Sequence, residues 1–404
     1  MNTLLRLRAL APALALALST GSASAQVGAR IEPLAADTLA ALRPLAARGA
    51  AALVLDPDGG PRARITVAMP VRAPLATVRG VITQAEAWPS FLPALGAVTT
   101  LSTHQRHAAH RMEIRAGILD IRADTQLHEV SDRRVDFTIV SSDFGPAAAR
   151  WDLIPDGPDQ TFVVLTGWSD PSQGHWLLQR AAGSNPTATA GMNVAIDLVL
   201  ALGVRRRAER LAGVNPSDRP AYALSDAGVP APPERGPWDE LSRRWYTLAF
   251  TLAPDGAVTG ISTLARTGAS AERVGARVAE VARWQEHLPS VRETRALDAG
   301  RVALTLRSPF DQGQGTVTAR RLAPGVTEVE GDSGDLRGYR WRWDVDARGP
   351  DDTLVTLTGG VEPGLAALMP RTAASREPFL YAGLSGLRQL LWMRAMLAGL
   401  HAGE

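Results

Sequence analysis

The sequence predicts an α+β protein made of two tandem copies of one domain, each an antiparallel sheet followed by a long helix. Residues 151–171 and 343–363 align without a gap at an offset of 192, and 11 of these 21 positions are identical. A repeat of this length indicates duplication of a whole domain, because the units of solenoid proteins are much shorter. Alternating apolar strands and a late amphipathic helix recur in both copies.

The first 25 residues are predicted to be a cleaved secretory signal peptide. Arg6 and Arg8 precede an apolar run of about ten residues, and Ala23-Ser24-Ala25 forms a small-residue cleavage site. We therefore expect a periplasmic or secreted protein. Removal of the two arginines lowers the formal net charge from +2 to zero. A neutral chain has no bulk charge to attract nucleic acid, so no nucleic acid is expected as a partner.

The rest of the chain divides into three predicted segments. Residues 26–213, called repeat 1, hold a helical leader and the first domain. Residues 214–238 are rich in Pro and polar residues and have no hydrophobic period, which is typical of a semi-extended linker. Residues 239–404, called repeat 2, hold the second domain. The chain has no Cys, so burial of apolar side chains must stabilise domains of this size without disulfides.

Both repeats show the same predicted order of elements. A hairpin comes first, because residues 51–55 and 63–71 flank a turn rich in Asp, Pro and Gly. The later elements of repeat 1 are a short helix, strands and a closing helix, predicted over residues 75–84, 98–102, 111–122, 125–130, 134–140, 148–154, 161–168 and 188–211. Repeat 2 is predicted to follow with elements over residues 245–252, 258–264, 270–281, 301–306, 315–319, 327–330, 338–345, 353–359 and 376–400. The clean alternation of apolar and polar residues indicates a sheet with one wet face.

This order, with an early Trp-containing turn, resembles the START-like helix-grip superfamily, also called SRPBCC, and within it the polyketide cyclase or coenzyme Q-binding-like branch. The motifs that carry the resemblance are Ile65-Thr66-Val67, Ala73-Pro74, Val78, Trp88 to Pro93 and Ala149 to Leu153, and in repeat 2 Ile261, Ala269, Val274, Trp284, Leu288-Pro289 and Trp343-Asp344. The resemblance implies two helix-grip domains, each a curved antiparallel sheet around a long C-terminal helix. It also implies an apolar cavity for a lipid, sterol, polyprenyl quinone or polyketide-like ligand, and it supplies no universal catalytic residue.

The expected cavity walls are apolar and aromatic, as in most small-molecule pockets. The candidates are Trp88, Phe91, Met112, Ile114, Phe137, Ile139, Trp151, Trp168, Met192 and Ile196 in repeat 1, and Trp284, Leu304, Trp343 and Leu384 in repeat 2. For each residue the alternative is that it only packs the core. The repeats differ at some of these positions, with Trp168 aligned to Gly360. We therefore expect one repeat, the first, to hold the ligand.

The sequence offers no strong metal or catalytic motif. His104, His107 and His110 have a spacing that fits neither a helix face nor a strand face, so a solvated hairpin tip is expected rather than a metal site. The chain lacks Cys and has no nucleophile elbow or zinc-protease helix motif. No metal, no cofactor and no catalytic residue is predicted.

The sequence therefore predicts a periplasmic or secreted binding or transport protein for a hydrophobic small molecule. One alternative is a cyclase, dehydratase or hydrolase, which needs an inward acid or base such as Glu113, Asp143 or His175. Another is an interaction module with filled cores. Arg205 to Arg207 are expected to favour the C-terminal dipole of their helix, with transient membrane contact as a second role. The sequence leaves the ligand and the oligomeric state open.

Overall fold

The structure, a computed structural model, describes residues 31–46, 51–55, 64–116, 119–143, 145–170, 173–174, 186–214, 235–298, 300–307, 312–361 and 379–400. Within these ranges each repeat is an eight-stranded antiparallel half-sheet followed by a long helix. The predicted α+β helix-grip fold class is confirmed. No helix within the described ranges is long and apolar enough to cross a membrane.

The elements of the two repeats correspond one to one over most of their length. Repeat 1 comprises α1 (Ala36–Ala46), β1 (Ala51–Leu55), β2 (Ile65–Val71), α2 (Leu75–Thr83), β3 (Leu95–His104), β4 (His107–Ala116), β5 (Leu119–Ser131), β6 (Arg134–Ser142), β7 (Ala147–Pro155), β8 (Thr161–Ser169) and α3 (Pro186–Leu211). Repeat 2 comprises α4 (Arg235–Ser242), β9 (Tyr246–Leu252), β10 (Val258–Thr267), α5 (Ala271–Ala279), α6 (Trp284–His287), β11 (Val291–Ala296), β12 (Arg301–Arg307), β13 (Gln312–Ala323), β14 (Val326–Gly331), β15 (Arg340–Gly349), β16 (Asp352–Gly359) and α7 (Leu380–Leu397).

One continuous antiparallel sheet joins the repeats edge to edge. Its strand order is β11-β12-β13-β14-β15-β16-β10-β9-β1-β2-β8-β7-β6-β5-β4-β3. The join is the antiparallel pairing of β1 with β9, with Ala51 opposite Phe250 and Leu55 opposite Tyr246. This pairing satisfies the backbone groups of two strands that would otherwise be open edges.

The long helices α3 and α7 pack side by side on one face of the sheet, called the inner face. The main core on this face contains residues of both repeats, among them Leu165 and Leu198 of repeat 1 and Phe250 of repeat 2. A Cβ built on Gly383 of α7 would lie 3.0 Å from Cα of Ala195 in α3. The two helices therefore meet almost backbone to backbone, and the inner core cannot be divided into two independent halves.

The opposite face of the central strands, called the outer face, is covered by α1 and α4. Leu42 of α1 and Trp238 of α4 are fully buried there against Phe162. The predicted leader thus forms α1, and α4 takes the same position in repeat 2. The predicted linker end at residue 238 is wrong, because α4 begins at Arg235. Gly and Pro at this point suggest a linker, yet Pro is tolerated in the first turn of a helix.

One predicted strand is also wrong. Residues 111–122 were expected to form a single strand, but β4 ends at Ala116 and β5 begins at Leu119. The apolar alternation of the sequence continues through both strands, so the hydrophobic period gives no sign of the reversal, whereas the glycine at position 117 is a residue type common in turns. Strand β11 had no predicted counterpart.

The contact between α3 and α7 predicts a size limit at Gly383. Replacing Gly383 with Leu should push the two helices apart and lower the free energy of unfolding by about 1–3 kcal/mol. The matched control is Gly275→Leu in α5, because a Cβ on Gly275 meets nothing within 4 Å. That control should be neutral or slightly stabilising, since Leu favours helix more than Gly. Urea denaturation of both variants measures the difference, and equal stability of the two would contradict the proposed contact.

Candidate ligand cavity

A second, smaller cluster on the inner face of repeat 1 lies beyond the main core. Trp88, Leu92 and Met112 are buried in it, and Phe137 and Leu200 pack against it while remaining partly exposed. Nε1 of Trp88 donates a hydrogen bond to the carbonyl oxygen of Val81 over 3.0 Å, which fixes the indole. The ring centroids of Trp88 and Phe137 are 5.9 Å apart. Helix α3 and strands β4 to β6 therefore enclose an aromatic wall that solvent reaches.

The strand period explains why the predicted residues share this wall. Met112 and Ile114 are two positions apart on β4, and Phe137 and Ile139 are two positions apart on β6, so each pair points to one face. Of the four side chains only Met112 is fully buried. The other three are partly exposed and form an apolar surface on the inner face that protein atoms do not fully cover.

The same place in repeat 2 is filled by tryptophan. Trp284, Trp341, Trp343 and Trp392 are all buried, and the ring centroids of Trp341 and Trp392 are 5.2 Å apart. Trp284 lies 5.7 Å from Trp392 and 6.4 Å from Trp343 by the same measure. These indoles form one closed aromatic cluster beneath α7.

Two substitutions account for the difference between the repeats. At the offset of 192, Trp341 aligns with Ala149 and Trp392 aligns with Leu200. Ala149 and Leu200 are both partly exposed. Two indoles of repeat 2 are thus replaced by much smaller side chains in repeat 1, which leaves the inner face of repeat 1 open.

The structure places several predicted cavity residues elsewhere. Trp168 lies on the outer face, because it alternates with the inner Gly167 on β8. Ile196 is 46% exposed, on a side of α3 that faces away from the core. Trp151 is buried in the main core. Residue type alone predicts these three positions as cavity walls. The face of the sheet or helix on which a side chain lies depends on register, which residue type does not give. The side chain of Met192 lies outside the described residues.

The predicted cavity residues of repeat 2 form no open site. Trp284, Leu304 and Trp343 are fully buried in the closed cluster under α7. Leu384 is only partly buried on α7. Nothing in the described part of repeat 2 corresponds to the open wall of repeat 1, because Trp341 and Trp392 occupy that position.

Asp197 is the residue that sequence reasoning missed. A Cβ built on Gly167 would lie 3.1 Å from Oδ2 of Asp197, so the carboxyl group of α3 rests directly on the backbone of β8. Water reaches part of the side chain, yet protein atoms surround it closely. This desolvation raises the pKa of Asp197 to about 7. No described hydrogen-bond donor or cation offsets the burial.

One turn before Asp197, a second polar residue of α3 is fixed to the same strand. Oγ of Ser169 donates to Oδ1 of Asn193, and Nδ2 of Asn193 donates to the carbonyl oxygen of Ser169 over 3.1 Å. Both side chains are buried. Asn193 therefore holds α3 against β8 at one position and leaves Asp197 facing the next inward position, which is Gly167.

Repeat 2 carries a neutral group at the position of Asp197. Gln389 aligns with Asp197, and its Nε2 lies 2.9 Å from a Cβ built on Gly359, which aligns with Gly167. Oε1 of Gln389 accepts a hydrogen bond from Oγ1 of Thr263 over 3.3 Å. In the leading helix and first strands of the two repeats the offset is 196 rather than 192, so the residue that corresponds to Thr263 in repeat 1 is Val67, which has no donor. The ionisable group and its apolar setting are therefore specific to repeat 1.

The three histidines of the β3–β4 hairpin do not converge. His104 and His107 are exposed, as expected, and the ring of His107 stacks on that of His128 with centroids 3.9 Å apart. His110 departs from the predicted solvated tip, because it is buried. Burial lowers the pKa of His110, and the charge of Glu86 opposes this effect. Within the described ranges no three potential metal ligands come together.

The acids and bases named from the sequence lie outside the cavity or outside the description. Glu113 and Asp143 are exposed, and Asp143 accepts a hydrogen bond from the backbone N–H of Arg122. His175 lies outside the described residues. Asp152 and Asp344, which align between the repeats, pair with Arg150 and Arg342.

Residues 62–201 match the family model described as "Polyketide cyclase / dehydrase and lipid transport". The START-like prediction is confirmed. The match covers β2 through most of α3, which includes the cavity wall and Asp197. It supports binding of a hydrophobic small molecule or a cyclase role for the START-like repeat 1. No curated protein matches the chain.

Solved structures similar to the chain include two aromatase/cyclases and a lipid-transfer protein. The Zhui aromatase/cyclase from a Streptomyces species is 15% identical, with 36% of this chain and 93% of that chain covered and a TM-score of 0.28. The di-domain ARO/CYC StfQ from the steffimycin biosynthetic pathway is 11% identical, with 83% and 97% covered and a TM-score of 0.28. The STAR-related lipid transfer protein from Xanthomonas axonopodis is 19% identical, with 34% and 87% covered and a TM-score of 0.26. Similarities this low do not assign a ligand or a reaction.

The raised pKa of Asp197 predicts a pH dependence of stability with a definite sign. Its pKa is about 7 in the folded state against an ordinary value of 3.8 for Asp, so between these values only the folded state keeps the proton. The free energy of unfolding should therefore fall as pH rises through this window. Asp197→Asn should raise stability at about pH 8 and change it little at about pH 4. Urea denaturation at both pH values tests this, with the exposed Asp159→Asn as control, and a pH-independent effect of Asp197→Asn would contradict the assignment.

Proposed function

We propose that repeat 1 binds one hydrophobic small molecule between α3 and strands β4 to β6, and that the protein carries this molecule in the periplasm or outside the cell. The observation that carries the proposal is the open apolar wall of Trp88, Phe137 and Leu200, which repeat 2 closes with tryptophan. The site of action rests on the predicted signal peptide. A lipid-like molecule in an aqueous compartment needs an apolar binding site, because exposure of apolar surface to water is unfavourable.

The physical driving force is sufficient for a carrier. Burial of roughly 400 Å² of apolar ligand surface contributes about 10 kcal/mol before costs. Immobilisation of the ligand and ordering of the walls offset a large part of this gain. Asp197 adds a constraint on the ligand, because a buried protonated carboxyl group needs a hydrogen-bond acceptor. We therefore expect an apolar body with at least one carbonyl or hydroxyl group.

A cavity-filling substitution tests the site. Leu200→Trp installs in repeat 1 the residue that repeat 2 has at the aligned position, Trp392. Native mass spectrometry followed by organic extraction should find a bound hydrophobic molecule in the unaltered protein and little in Leu200→Trp. The matched control is Leu322→Trp, because Leu322 is an exposed leucine of repeat 2.

Two outcomes would count against the carrier. Equal ligand content in Leu200→Trp and Leu322→Trp would place the ligand elsewhere. A purified protein that neither retains nor takes up any hydrophobic molecule would favour the interaction module. Ala149→Trp provides an independent blocking variant, and thermal unfolding of each variant distinguishes a blocked cavity from a disrupted fold.

Asp197 favours a second candidate function, an acid–base enzyme that uses the same cavity. A carboxyl group with a pKa of about 7 can both take and return a proton near neutral pH. In a dehydration, Asp197 would take the proton from the carbon beside a carbonyl group. The C–O bond of the neighbouring hydroxyl group would break, and the returned proton would let it leave as water.

The enzyme hypothesis is tested by placing in repeat 1 the residue that repeat 2 has at the aligned position. Asp197→Gln copies Gln389 of repeat 2 and removes the ionisable group. The probe is the β-hydroxy ketone formed from acetone and benzaldehyde, whose dehydration is followed by the absorbance of the conjugated enone. We expect the unaltered protein to accelerate this step and Asp197→Gln to lose at least about a hundredfold in rate while still binding the probe. An unchanged rate in Asp197→Gln would remove Asp197 from the mechanism.

A further inference from the structure

A groove with a volume of about 470 Å³ lies at the seam of the two repeats, away from the cavity under α3. Arg43 of α1, Arg72 after β2 and Arg205 of α3 reach it from repeat 1. Leu252 and the turn after β9 reach it from repeat 2. The groove therefore exists only because the repeats are joined edge to edge, and the START-like fold of a single repeat would lack one wall.

Positive charge exceeds negative charge among the ionised groups around this groove. Arg43 pairs with Asp156 over 3.3 Å. Arg72 and Arg205 share one carboxylate oxygen, Oε1 of Glu209, over 3.4 and 3.1 Å. Three guanidinium groups thus face two carboxylates, which leaves one positive charge without a counter-ion among these five residues. Arg43 and Arg72 are partly exposed and can turn toward an incoming anion.

Arg205 is the group that marks the groove as a site. It is only 8% exposed, and its Nη1 has no hydrogen-bond partner within the described part of the chain. A buried guanidinium with an unused donor is costly, because its hydration is lost without full replacement. Burial lowers the pKa of Arg205, and Glu209 opposes this effect. The aligned residue in repeat 2 is Leu397, which is buried, so the fold itself needs no cation at this position.

Repeat 2 has no excess of positive charge at the aligned positions, where Arg266 pairs with Asp352. Asp239 and Arg348 stand where repeat 1 has Arg43 and Asp156, and they form the same ion pair with the charges exchanged, over 3.2 Å. Gly268 takes the place of Arg72. The cationic set belongs to repeat 1 and to the seam, and the duplicated scaffold does not explain it.

The remaining lining of the groove is mostly apolar. Phe162 lies under the guanidinium of Arg43, with 4.8 Å from its Cζ to the ring centroid. Leu252, Ala253 and three prolines are also apolar, and Gln160 adds a polar amide group. The volume of the groove is in the range of small-molecule pockets. Its guanidinium donors suit an anionic head group, and its mostly apolar walls suit an apolar body.

We propose that this seam groove binds an amphiphilic anion, with a carboxylate or phosphate monoester held by Arg43, Arg72 and Arg205 and a short apolar chain against Phe162 and Leu252. Arginine suits both head groups, because its planar fork donates two parallel hydrogen bonds. The site is independent of the cavity under α3.

Isothermal titration of the full mature chain with hexyl phosphate and with hexanoate tests the proposal. We expect binding of at least one probe, and a loss of about tenfold or more in affinity in Arg72→Gln and in Arg43→Gln, because each removes a charge-assisted hydrogen bond. Arg205→Leu copies repeat 2 and should abolish binding. The matched control is Arg111→Gln, an exposed arginine paired with Asp124 outside the groove, which should bind normally.

Further titrations distinguish a soluble amphiphilic anion from inorganic phosphate and from a membrane headgroup. Inorganic phosphate should bind more weakly than hexyl phosphate, and equal affinity would overturn the amphiphile. Vesicles that contain phosphatidylglycerol should not compete with soluble hexyl phosphate, and binding to vesicles alone would overturn a soluble ligand in favour of a membrane headgroup. Equal losses in Arg72→Gln and Arg111→Gln, or no binding of either probe, would overturn the site. Leu200→Trp should leave hexyl phosphate binding unchanged, which keeps this test separate from that of the α3 cavity.

Discussion

The pairing of β1 with β9 is the constraint on which the rest of the structure depends. It converts two half-sheets into one sheet and brings α3 and α7 together on the same face. Because the closest approach of these helices is at Gly383 and Ala195, the main core contains side chains from both repeats. Helix α3 is thereby supported by α7 of repeat 2.

Duplication preserved the scaffold and changed the interior. Trp88 and Trp284 each donate a hydrogen bond to a backbone carbonyl group of the preceding short helix, that of Val81 in repeat 1 and that of Val278 in repeat 2. These indoles fix the same turn in both repeats. Under the long helix, however, repeat 2 gains Trp341 and Trp392 and closes. The two repeats therefore share a scaffold and differ in how completely the inner face is packed.

Two buried charged residues distinguish repeat 1 from repeat 2. Most ion pairs of the protein are partly exposed and contribute little to stability. Asp197 and Arg205 differ, because each is desolvated without full compensation. The aligned residues in repeat 2 are Gln389 and Leu397, both neutral. The fold therefore tolerates uncharged residues at these places, and their charge in repeat 1 favours a role in binding or chemistry.

The sequence alone determined the duplication, the α+β class and the order of most elements, because hydrophobic period and turn residues are local signals. Alternation along the strands also predicted that Met112 and Phe137 lie together, and both belong to the cluster that packs against α3. It could not place Trp168 on the outer face or separate β4 from β5, since both depend on register. Only the tertiary structure brought Asp197 onto Gly167 and assembled the seam groove, because these neighbours are distant in sequence and meet through the packing of helices on a shared sheet.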